Sequence, residues 1–599
     1  MSHLMIFSIG PVQDFIATAR RSRDLWYGSW MLSELSKVAA NKIVELTSFD
    51  NLIFPHPTNE KLLEPTSDFN APNKIVAVVE TDNPKQFAKD IKDATVNYLV
   101  EKLAQPTMDA IQSKTFNRTL ADAQIKDLPE LYWVSVPYND RKYEVVREEA
   151  EALLIARKNT RDFNQITGEN RNVPKSSLDG ARESVIDEDE YPDRKNSDPV
   201  KARKIRKLYD NYHARQGERL SGVDLLKRLG ARNDEPDFKS TSHMAAIPFL
   251  EKLVKVKGPG KDKKLLAEIR GVLPEDFKDI DRTNEVLVFE SRLTDWVYDK
   301  TQLADLRKKV KDILDKEEYT GGKFSPNPYY ALLRADGDNM GKVIDGQTEK
   351  RQHQELSEAL SKFAREVKSI VNEQHNGLLI YSGGDDVLAY LPINQALSCA
   401  VALEKKFKNA FREDSTNEES PIKIFAEDKT TSPTLSIGIV VAHHLDPLSD
   451  VLELARSAEK KAKQIEGKNG LAITLSKRSG TDRTIVGKFG DLHKRLNDMI
   501  DLTDKKIISG GTAYELQELG HTLPDDFPLE GLKVEALRIV KHKQAAGGEK
   551  LTDEDKGKYL KTVEGWLTNL NLNKEDKKYY SLQNLAYEMI IAKELVEEV

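Results

Sequence analysis

Two apolar runs joined by a Gly-Gly-Asp-Asp segment constrain the fold of this chain more than any other feature. Residues 378–380 precede the segment and residues 387–391 follow it, and each run has the length of a strand. Gly-Gly tolerates the positive φ that tight turns need, so the pattern predicts a β-hairpin with Asp385 and Asp386 near its tip. All four residues also suit a purely structural, solvated turn.

A second strand-like run, residues 329–334, also ends in a carboxylate, that of Asp336. If the two strands are neighbours, Asp336 meets the Asp385/Asp386 pair at one edge of the sheet. Clustered carboxylates repel one another without a cation, and their oxygens suit Mg²⁺. Asp336 also fits a helix cap, and the two roles are compatible. The pattern predicts the metal-nucleotide site of a palm-type nucleotidyltransferase.

Composition places the chain among large, charged proteins with several domains. It has 599 residues, 32% of them charged, and a formal net charge of −7. Such a length predicts roughly three to five domains. Since no apolar run has membrane-spanning length and the chain opens with a strand-like segment, we expect a soluble, cytoplasmic protein without a membrane partner.

The single cysteine and one basic stretch carry weaker signals. Cys399 has no partner for a disulfide and falls on a helical apolar pattern, so we expect a buried hydrophobe. Residues 201–207 are rich in Lys and Arg. They suit either a solvated helix face or an RNA contact.

From Asp336 onward the apolar pattern alternates between strands and helices. A strand is followed by a helix that carries Leu356, Leu360 and Phe363, then by the hairpin, a helix near residues 397–407 and a strand at 434–442. A further helix at 448–464 and a strand at 471–475 complete the order. This βαββαβ arrangement predicts an antiparallel sheet with helices on one face and a free face for substrate.

The first part of the chain repeats this order. Strands are expected at residues 5–9, 51–54, 74–80 and 131–137, with helices between them. Gly10 and Pro11 stand where the other copy has Asp336 and Gly337, so this second palm-like domain should lack a metal site. We expect it to serve as a partner surface.

We therefore predict an α+β fold with two ferredoxin-like (βαββαβ) palm domains, a charged helical region between them and a C-terminal helical bundle. The expected boundaries are 1–140 for the first palm-like domain, 141–320 for the helical region, 321–480 for the catalytic palm and 481–599 for the bundle. Only helices are expected after Gly480. Their amphipathic spacing suits either docking of partner proteins or a cap on the core.

Several stretches resemble the large subunit of type III CRISPR effector complexes in its Cmr, or type III-B, form. The likeness extends over most of the chain. It rests on Ile9-Gly-Pro-Val-Gln-Asp-Phe-Ile16 with Ala19-Arg-Arg-Ser-Arg-Asp-Leu-Trp-Tyr-Gly-Ser29, on Ser177-Leu-Asp-Gly180 with Glu183-Ser184, on Gly217-Glu-Arg-Leu-Ser-Gly-Val-Asp-Leu-Leu-Lys-Arg228, and on Asp336-Gly-Asp-Asn-Met-Gly341 with Ser382-Gly-Gly-Asp-Asp386. A wider similarity to diguanylate cyclases of the GGDEF type rests on residues 435–439, 462–463 and 467–469.

The resemblance implies that AMP units from ATP are joined into cyclic oligoadenylate, an antiviral second messenger, once a complex with guide CRISPR RNA has bound target RNA. Other Cmr subunits and both RNAs are the implied partners. Asp336, Asp385 and Asp386, with the carbonyl of Gly337, are implied to hold two Mg²⁺ (or Mn²⁺) ions. The implied nucleotide-binding residues are Gly10, Pro11, Gln13, Gly337, Asp338, Asn339, Met340, Gly341, Ser382, Gly383, Gly384, Ser436 and Lys463.

Several of these residues have an implied role of their own. The backbone and side chains of residues 338–342, at the start of a helix, are expected to cradle phosphates. Lys463 is expected to approach the triphosphate, and Ser436 to lie on the sheet beside the hairpin. Gly10 to Gln13 are expected to help hold a second ATP.

Two departures from the family shape the expected activity. Many members begin with an HD nuclease domain, whereas this chain starts at the first palm and has no adjacent His-Asp pair, so we expect no DNase activity. Relatives often carry a cysteine zinc site in the middle region. Residues 164–169 have no cysteine nearby, so we expect no zinc.

Three alternatives stay open at the level of sequence. Some nuclease-free relatives transfer AMP to S-adenosylmethionine, and nothing in the residues excludes that acceptor. The palm could instead be inert in a structural subunit. A free-standing cyclase that uses GTP fits less well, because a second palm is fused to the first.

Overall fold

The computed structural model describes residues 1–160, 173–193, 195, 197–230, 238–274, 281–295, 297, 300–410, 433–524, 527–542, 552–571 and 580–596. Within these ranges the chain forms two β-sheets surrounded by helices. The segment 164–169, on which the expectation of no zinc rests, lies outside the described residues.

The first sheet has four antiparallel strands in the order β2-β3-β1-β4. They are β1 (Ser2–Gly10), β2 (Leu52–Phe54), β3 (Lys74–Glu80) and β4 (Glu130–Pro137). The accompanying helices are α1 (Gln13–Ala17), α2 (Ser22–Leu46), α3 (Pro84–Asn97), α4 (Gln105–Asp109), α5 (Arg118–Lys126) and α6 (Tyr143–Lys158), and a π-helical stretch, Tyr98–Ala104, links α3 to α4.

Alternation along β1 decides which helix covers each face of the first sheet, because successive side chains of a strand point to opposite sides. Met5 and Phe7 belong to the large core that includes α2. Leu4 and Ile6 instead pack with Val146 of α6. The first palm therefore continues through α6, beyond residue 140, where we expected it to end.

The middle region is mainly helical, as the sequence indicates. Its helices are α7 (Asp198–Tyr212), α8 (Gly222–Leu229), α9 (Thr241–Lys257), α10 (Lys261–Gly271) and α11 (Lys300–Leu314). The basic stretch lies on α7, where Arg203, Arg206 and Lys207 are exposed. Exposure fits both a solvated helix face and an RNA contact, so the RNA contact stays a prediction.

The second sheet has six strands in the order β10-β9-β8-β5-β7-β6. They are β5 (Tyr329–Asp338), β6 (Leu378–Gly383), β7 (Asp386–Leu391), β8 (Thr434–His443), β9 (Gly470–Leu475) and β10 (Arg483–Lys488), with helices α12 (Met340–Asp345), α13 (Lys350–Lys368), α14 (Ala396–Ala410) and α15 (Leu448–Lys463). The order β6-β7-β5-β8 repeats the order β2-β3-β1-β4 of the first sheet. The predicted fold class, with its two palm domains, is confirmed.

Local signals explain the helices beside this sheet. α13 starts with a capping box formed by Glu349 and Gln352 and buries Leu356, Leu360 and Phe363 at helical spacing. α15 connects β8 to the parallel strand β9, as parallel pairs require a crossover. Cys399 of α14 is buried, as expected.

The expectation of a free face on the second sheet is wrong. Tyr330, Tyr390 and Val440 are fully buried on the face opposite α13 and α14, and α2, α9 and α15 cover them. These side chains are apolar or aromatic, so exposure of the whole face would be costly.

The C-terminal helices extend the core of the second sheet. They are α16 (Leu492–Asp504), α17 (Thr512–Thr522), α18 (Leu529–His542), α19 (Asp553–Thr568) and α20 (Leu582–Leu595). Leu496 of α16 and Leu585 of α20 share one buried cluster with Ile473 of β9. The bundle therefore caps the core, and docking of partners there stays a prediction.

The expectation of helices alone after Gly480 is wrong at β10. This strand pairs antiparallel with β9, and the hydroxyl groups of Thr474 and Thr484 lie 3.0 Å apart. Ile485 is 2% exposed and Val486 is 38% exposed, the alternation of an edge strand. Among the described residues, no helix is both long and apolar enough to cross a bilayer.

Candidate active site

The acidic residues lie at the ends of neighbouring strands. β5 pairs with β7 up to Ala335 and Val387, so the next residues along β5 and back along β7 are Asp336 and Asp386. Gly383 pairs with Asp386 to close the hairpin, and Gly384 takes a φ of +70° in the turn. The predicted hairpin and the predicted neighbourhood of the two strands are both present.

Gly337 allows the hairpin tip to approach β5. A Cβ atom at this position would lie 2.7 Å from the Cβ and Oδ2 atoms of Asp385 and 2.7 Å from Cγ of Met340. Any side chain would therefore push the tip away from the strand. From the sequence we expected the carbonyl of Gly337 to bind a metal ion. The structure adds a steric role, because the missing side chain lets the hairpin tip approach.

The electrostatics of Asp385 and Asp386 show that the acidic groups act on one another. Burial and the charge of Asp336 raise the pKa of Asp385 to about 6. Burial and the charges of Asp385 and Asp336 raise the pKa of Asp386 to about 7. A bound cation would remove this mutual repulsion, and hard carboxylate oxygens fit Mg²⁺ or Mn²⁺.

Lys463 of α15 holds one of the three carboxylates. Its Nζ lies 2.6 Å from Oδ1 of Asp336 and 3.7 Å from Oε1 of Glu459. Nε of Arg334 lies 2.9 Å from the other oxygen of Glu459. Burial alone would lower the pKa of Lys463, but its hydrogen bond to Asp336 and that residue's charge raise it.

With Asp336 held by Lys463, the described residues contain no group of three side chains already arranged as metal ligands. The three carboxylates share a region but have not converged on a single point. The donor set fits a divalent cation, because carboxylate oxygens are hard ligands.

Two glycines bring α15 close enough for this ion pair. A Cβ on Gly438 would lie 2.3 Å from the backbone nitrogen of Glu459, and one on Gly470 would lie 2.1 Å from the carbonyl oxygen of Ala462. Sequence reasoning missed Glu459 and Arg334. Glu459 stands four residues before Lys463, a spacing that places both on one helix face and was an available signal.

The side chains of Asp338 and Ser436 lie in the protein interior, away from solvent. Both are 0% exposed. The carboxylate of Asp338 accepts hydrogen bonds from Thr434 at 2.7 Å, from Ser436 at 2.8 Å and from the amide of Asn469 at 3.0 Å. These bonds tie the strand ends to the loop before β9, and they differ from the side-chain contacts to nucleotide that we expected.

The other expected nucleotide-binding residues fall into different environments. Asn339 has a φ of +61° and precedes α12, while Met340 is buried in the core. Gly341 has open space around it. The hydroxyl of Ser382 donates to the carbonyl of Ala364 at 3.3 Å, so it faces α13.

The first palm meets the hairpin through the connection between β2 and β3. Phe69, Asn70 and Pro72 line a small cleft together with Gly384 and α13. Gly10 and Pro11 lie at the end of β1, where Gly10 pairs with Glu130. The structure describes the backbone of Gln13 within α1. Contacts of Gly10, Pro11 and Gln13 with a nucleotide stay a prediction.

Three of the stretches that carry the resemblance come together in a buried charged cluster. Arg228 lies 2.6 Å from Asp24 and 2.8 Å from Glu218, and Asp24 and Arg228 are each 1% exposed. Nζ of Lys227 donates to the carbonyls of Phe15 and Thr18 at 2.8 and 2.5 Å. The opening stretch and residues 217–228 are thus one structural unit around the start of α2.

Family models match two separate parts of the chain. Residues 4–106 match the model described as CRISPR-associated protein Cmr2, N-terminal. Residues 329–472 match the model of the Cas10/Cmr2 second palm domain. The second range runs from β5 into β9 and contains all three acidic residues.

A curated relative and two solved structures point the same way. The chain is 27% identical over 561 residues to the CRISPR system Cmr subunit Cmr2 of Pyrococcus furiosus; the match covers 80% of this chain, which spans 62% of that relative's length. A chain of the type III-B Cmr-beta complex in its apo state has a TM-score of 0.64 at 15% identity, covering 92% of this chain and 78% of the other. The complex bound to cognate target RNA gives 0.61 at 14% identity, covering 92% and 80%.

Two palm domains, one of them with carboxylates at adjacent strand ends, define a protein with a nucleotidyltransferase-type palm fold. Residues 4–106 and 329–472 carry the two domains that the Cmr2 N-terminal and Cas10/Cmr2 palm models describe, and the curated relative is a Cmr2 subunit. The resemblance stated from the sequence is confirmed.

Proposed function

We propose that the second palm joins AMP units from ATP into cyclic oligoadenylate within an RNA-guided type III CRISPR antiviral complex. The observation that carries this proposal is the position of Asp336, Asp385 and Asp386 at adjacent strand ends, where their charges raise the pKa values of the hairpin pair. Perturbed carboxylates in a shared cleft mark functional sites.

Each residue of the site has a role in this reaction. Asp336, Asp385 and Asp386, with the carbonyl of Gly337, would hold Mg²⁺ or Mn²⁺, which when bound acidifies a ribose hydroxyl and neutralises phosphate charge. Lys463 leaves Asp336 for a phosphate oxygen, and Glu459 keeps its ammonium near the site. The open backbone at Gly341 leaves room for a phosphate.

Partners and location follow from the same proposal. A similar fold occurs in a type III-B Cmr-beta complex bound to cognate target RNA. We propose that this chain also assembles with Cmr subunits, guide CRISPR RNA and target RNA, in the cytoplasm. RNA binding would then switch on synthesis in the second palm.

The test is product analysis by mass spectrometry with the complete complex, supplied with guide and target RNA. ATP alone should yield cyclic oligoadenylate. An AMP adduct formed only with added S-adenosylmethionine would replace the proposed acceptor, and a product from GTP would replace the nucleotide. No product from the target-bound complex would indicate an inert structural subunit.

A double variant assigns the activity to this site. Asp385→Ala with Asp386→Ala should abolish synthesis while assembly and RNA binding remain, because both carboxylates lie at the hairpin tip and outside the hydrophobic core. Asp482→Ala, at an exposed acid of the same palm, is the matched control and should leave synthesis unchanged. Synthesis retained by the double variant would contradict the site.

A further inference from the structure

Helix α6 of the first palm carries two buried polar side chains that reach into the second palm. Arg147 is 1% exposed. Its guanidinium donates to the carbonyl of Ile344 and, at 3.1 Å, to the carbonyl of Asp345. Tyr143, one turn earlier, shares a 2.7 Å hydrogen bond with Nδ1 of His353. One helix face therefore contacts both α12 and the first turn of α13.

The acceptors of Arg147 are the carbonyls of the last two residues of α12, and that of Ile344 also accepts from the amide of Gln347 at 3.0 Å. The side chain of Gln347 donates to the preceding carbonyl, that of Val343, at 2.7 Å. A cation at the C-terminal end of a helix is also favoured by the helix dipole. Because α12 has only six residues, it is marginal on its own and depends on such contacts.

The position of α12 matters because the candidate active site lies at its other end. Asp336 and Gly337 precede this helix by a few residues, and Met340 begins it. A shift of α12 would move the chain between the acidic strand end and α13. Gly337 packs closely on the hairpin tip, since an added Cβ would lie 2.7 Å from Asp385, so a shift of the backbone there would disturb this contact.

We propose that Arg147 is a positioning residue, by which the first palm fixes α12 and so the backbone that follows Asp336. A lysine would replace it only in part, because its ammonium is one compact donor on a flexible stem, whereas the planar guanidinium directs Nη1 to one carbonyl and Nη2 to the other. The first palm then contributes to the site of the second palm without supplying a metal ligand. The link to nucleotide binding rests on the proposed function.

Hydrogen exchange on the full chain without ligand tests this role directly. In Arg147→Met, exchange at the amides of Val343 and Gly346, which bond within α12, should become about 10-fold faster or more, since two charge-assisted bonds are lost. Arg147→Lys should give a smaller increase. Arg141→Met removes an exposed arginine that pairs with Glu149 beside the same helix, and it should leave α12 unchanged.

A second measurement connects α12 to the site. Affinity for Mn²⁺ with a non-hydrolysable ATP analogue should fall about 10-fold in Arg147→Met and less in Arg147→Lys. Unchanged exchange at α12, an increase spread over the whole second sheet, or unchanged affinity despite a mobile α12 would each overturn the proposal.

Two safeguards keep the outcome interpretable. If Arg147→Met does not fold, Arg147→Lys and Tyr143→Phe decide by the same exchange measurement. If the wild-type chain binds no Mn²⁺ with the analogue, the proposed function fails, whereas the exchange result still supports or overturns the role of Arg147.

Discussion

The two palms share their strand order and differ at the ends of their central strands. β1 and β5 each lie between a hairpin and a returning strand. β5 ends with Asp336, Gly337 and Asp338, whereas β1 ends at Gly10 and is followed by Pro11. The backbone pairing is alike in the two palms. Their chemical difference therefore lies in the residues at the strand ends and not in the sheet.

The hairpins of the two palms differ as well. A tight turn at Gly384 joins β6 to β7, whereas residues 55–73 join β2 to β3. This longer connection packs on the second palm, where the amide of His56 donates to the hydroxyl of Ser357 at 2.7 Å. One palm uses its hairpin connection for an acidic site, and the other uses it to contact its neighbour.

The largest expected effect comes from alanine substitutions at the equivalent ends of β5 and β1. Asp336→Ala should lower synthesis of the nucleotide product by about 10³-fold or more, because the proposed metal ligand and the partner of Lys463 are lost. Gly10→Ala should leave the fold intact, since the nearest atoms to its Cβ lie 3.8 Å away. Initial rates of ATP conversion measure both. A comparable loss in the two variants would erase the distinction between the palms.

A smaller effect is expected from Gly337→Ala, which forces a Cβ against Asp385. Overpacking of this kind costs about 1–3 kcal/mol, and the displaced carboxylate should reduce synthesis about 10- to 100-fold. Gly271→Ala, where the added Cβ also meets open space and which lies outside the site, is the control. Thermal melting and rates of synthesis should separate the two variants, and equal behaviour would show that the hairpin does not need the close approach.

The third expected effect concerns the contact between the palms, acts on stability rather than on synthesis, and depends on pH. Burial and the charges of Arg147 and Lys74 lower the pKa of His353 to about 3. The unfolded chain therefore binds a proton that the folded chain excludes, so stability falls as pH drops below about 6.5. Between pH 7 and pH 5 the wild type should lose about 2 kcal/mol relative to His353→Gln.

Denaturant midpoints at the two pH values measure this difference. His521→Gln, at an exposed histidine, should track the wild type at both values. If His353→Gln also tracks the wild type at pH 5, His353 is not held neutral between the palms.

Local patterns were enough to predict the hairpin, the strands other than β10 and the order of elements as far as β9. Apolar alternation and turn residues are short-range signals. The similarity to GGDEF-type cyclases indicated a role for Lys463 at the site. The face of the second sheet opposite α13 and α14 is covered partly by α2 and α9, which are distant from β5 in sequence. The apolar pattern within β5 does not indicate which helices pack on it. The edge strand β10 is short, with a glycine near its end, and its pattern is weak.

Asp336 and Asp338 show why the site was only partly predictable. Both belong to one acidic motif, and the sequence alone does not indicate which of the two is buried and which is accessible to a ligand. Register separates them: Asp338 lies opposite Thr434 and is fully buried, whereas Asp336 is 27% exposed and pairs with Lys463. Arg147 carried no motif, because its acceptors are backbone carbonyls about two hundred residues away.

The central claim is that Asp336 and the hairpin pair hold one metal-nucleotide site, and a Mn²⁺ titration of the full chain with a non-hydrolysable ATP analogue tests it most directly. We expect affinity to fall sharply both in Asp336→Asn and in Asp385→Asn with Asp386→Asn. We also expect it to weaken as pH drops from 8 to 6, because Asp385 and Asp386, with pKa values of about 6 and about 7, take up protons that compete with the metal. Wild-type affinity in either variant would contradict a shared site.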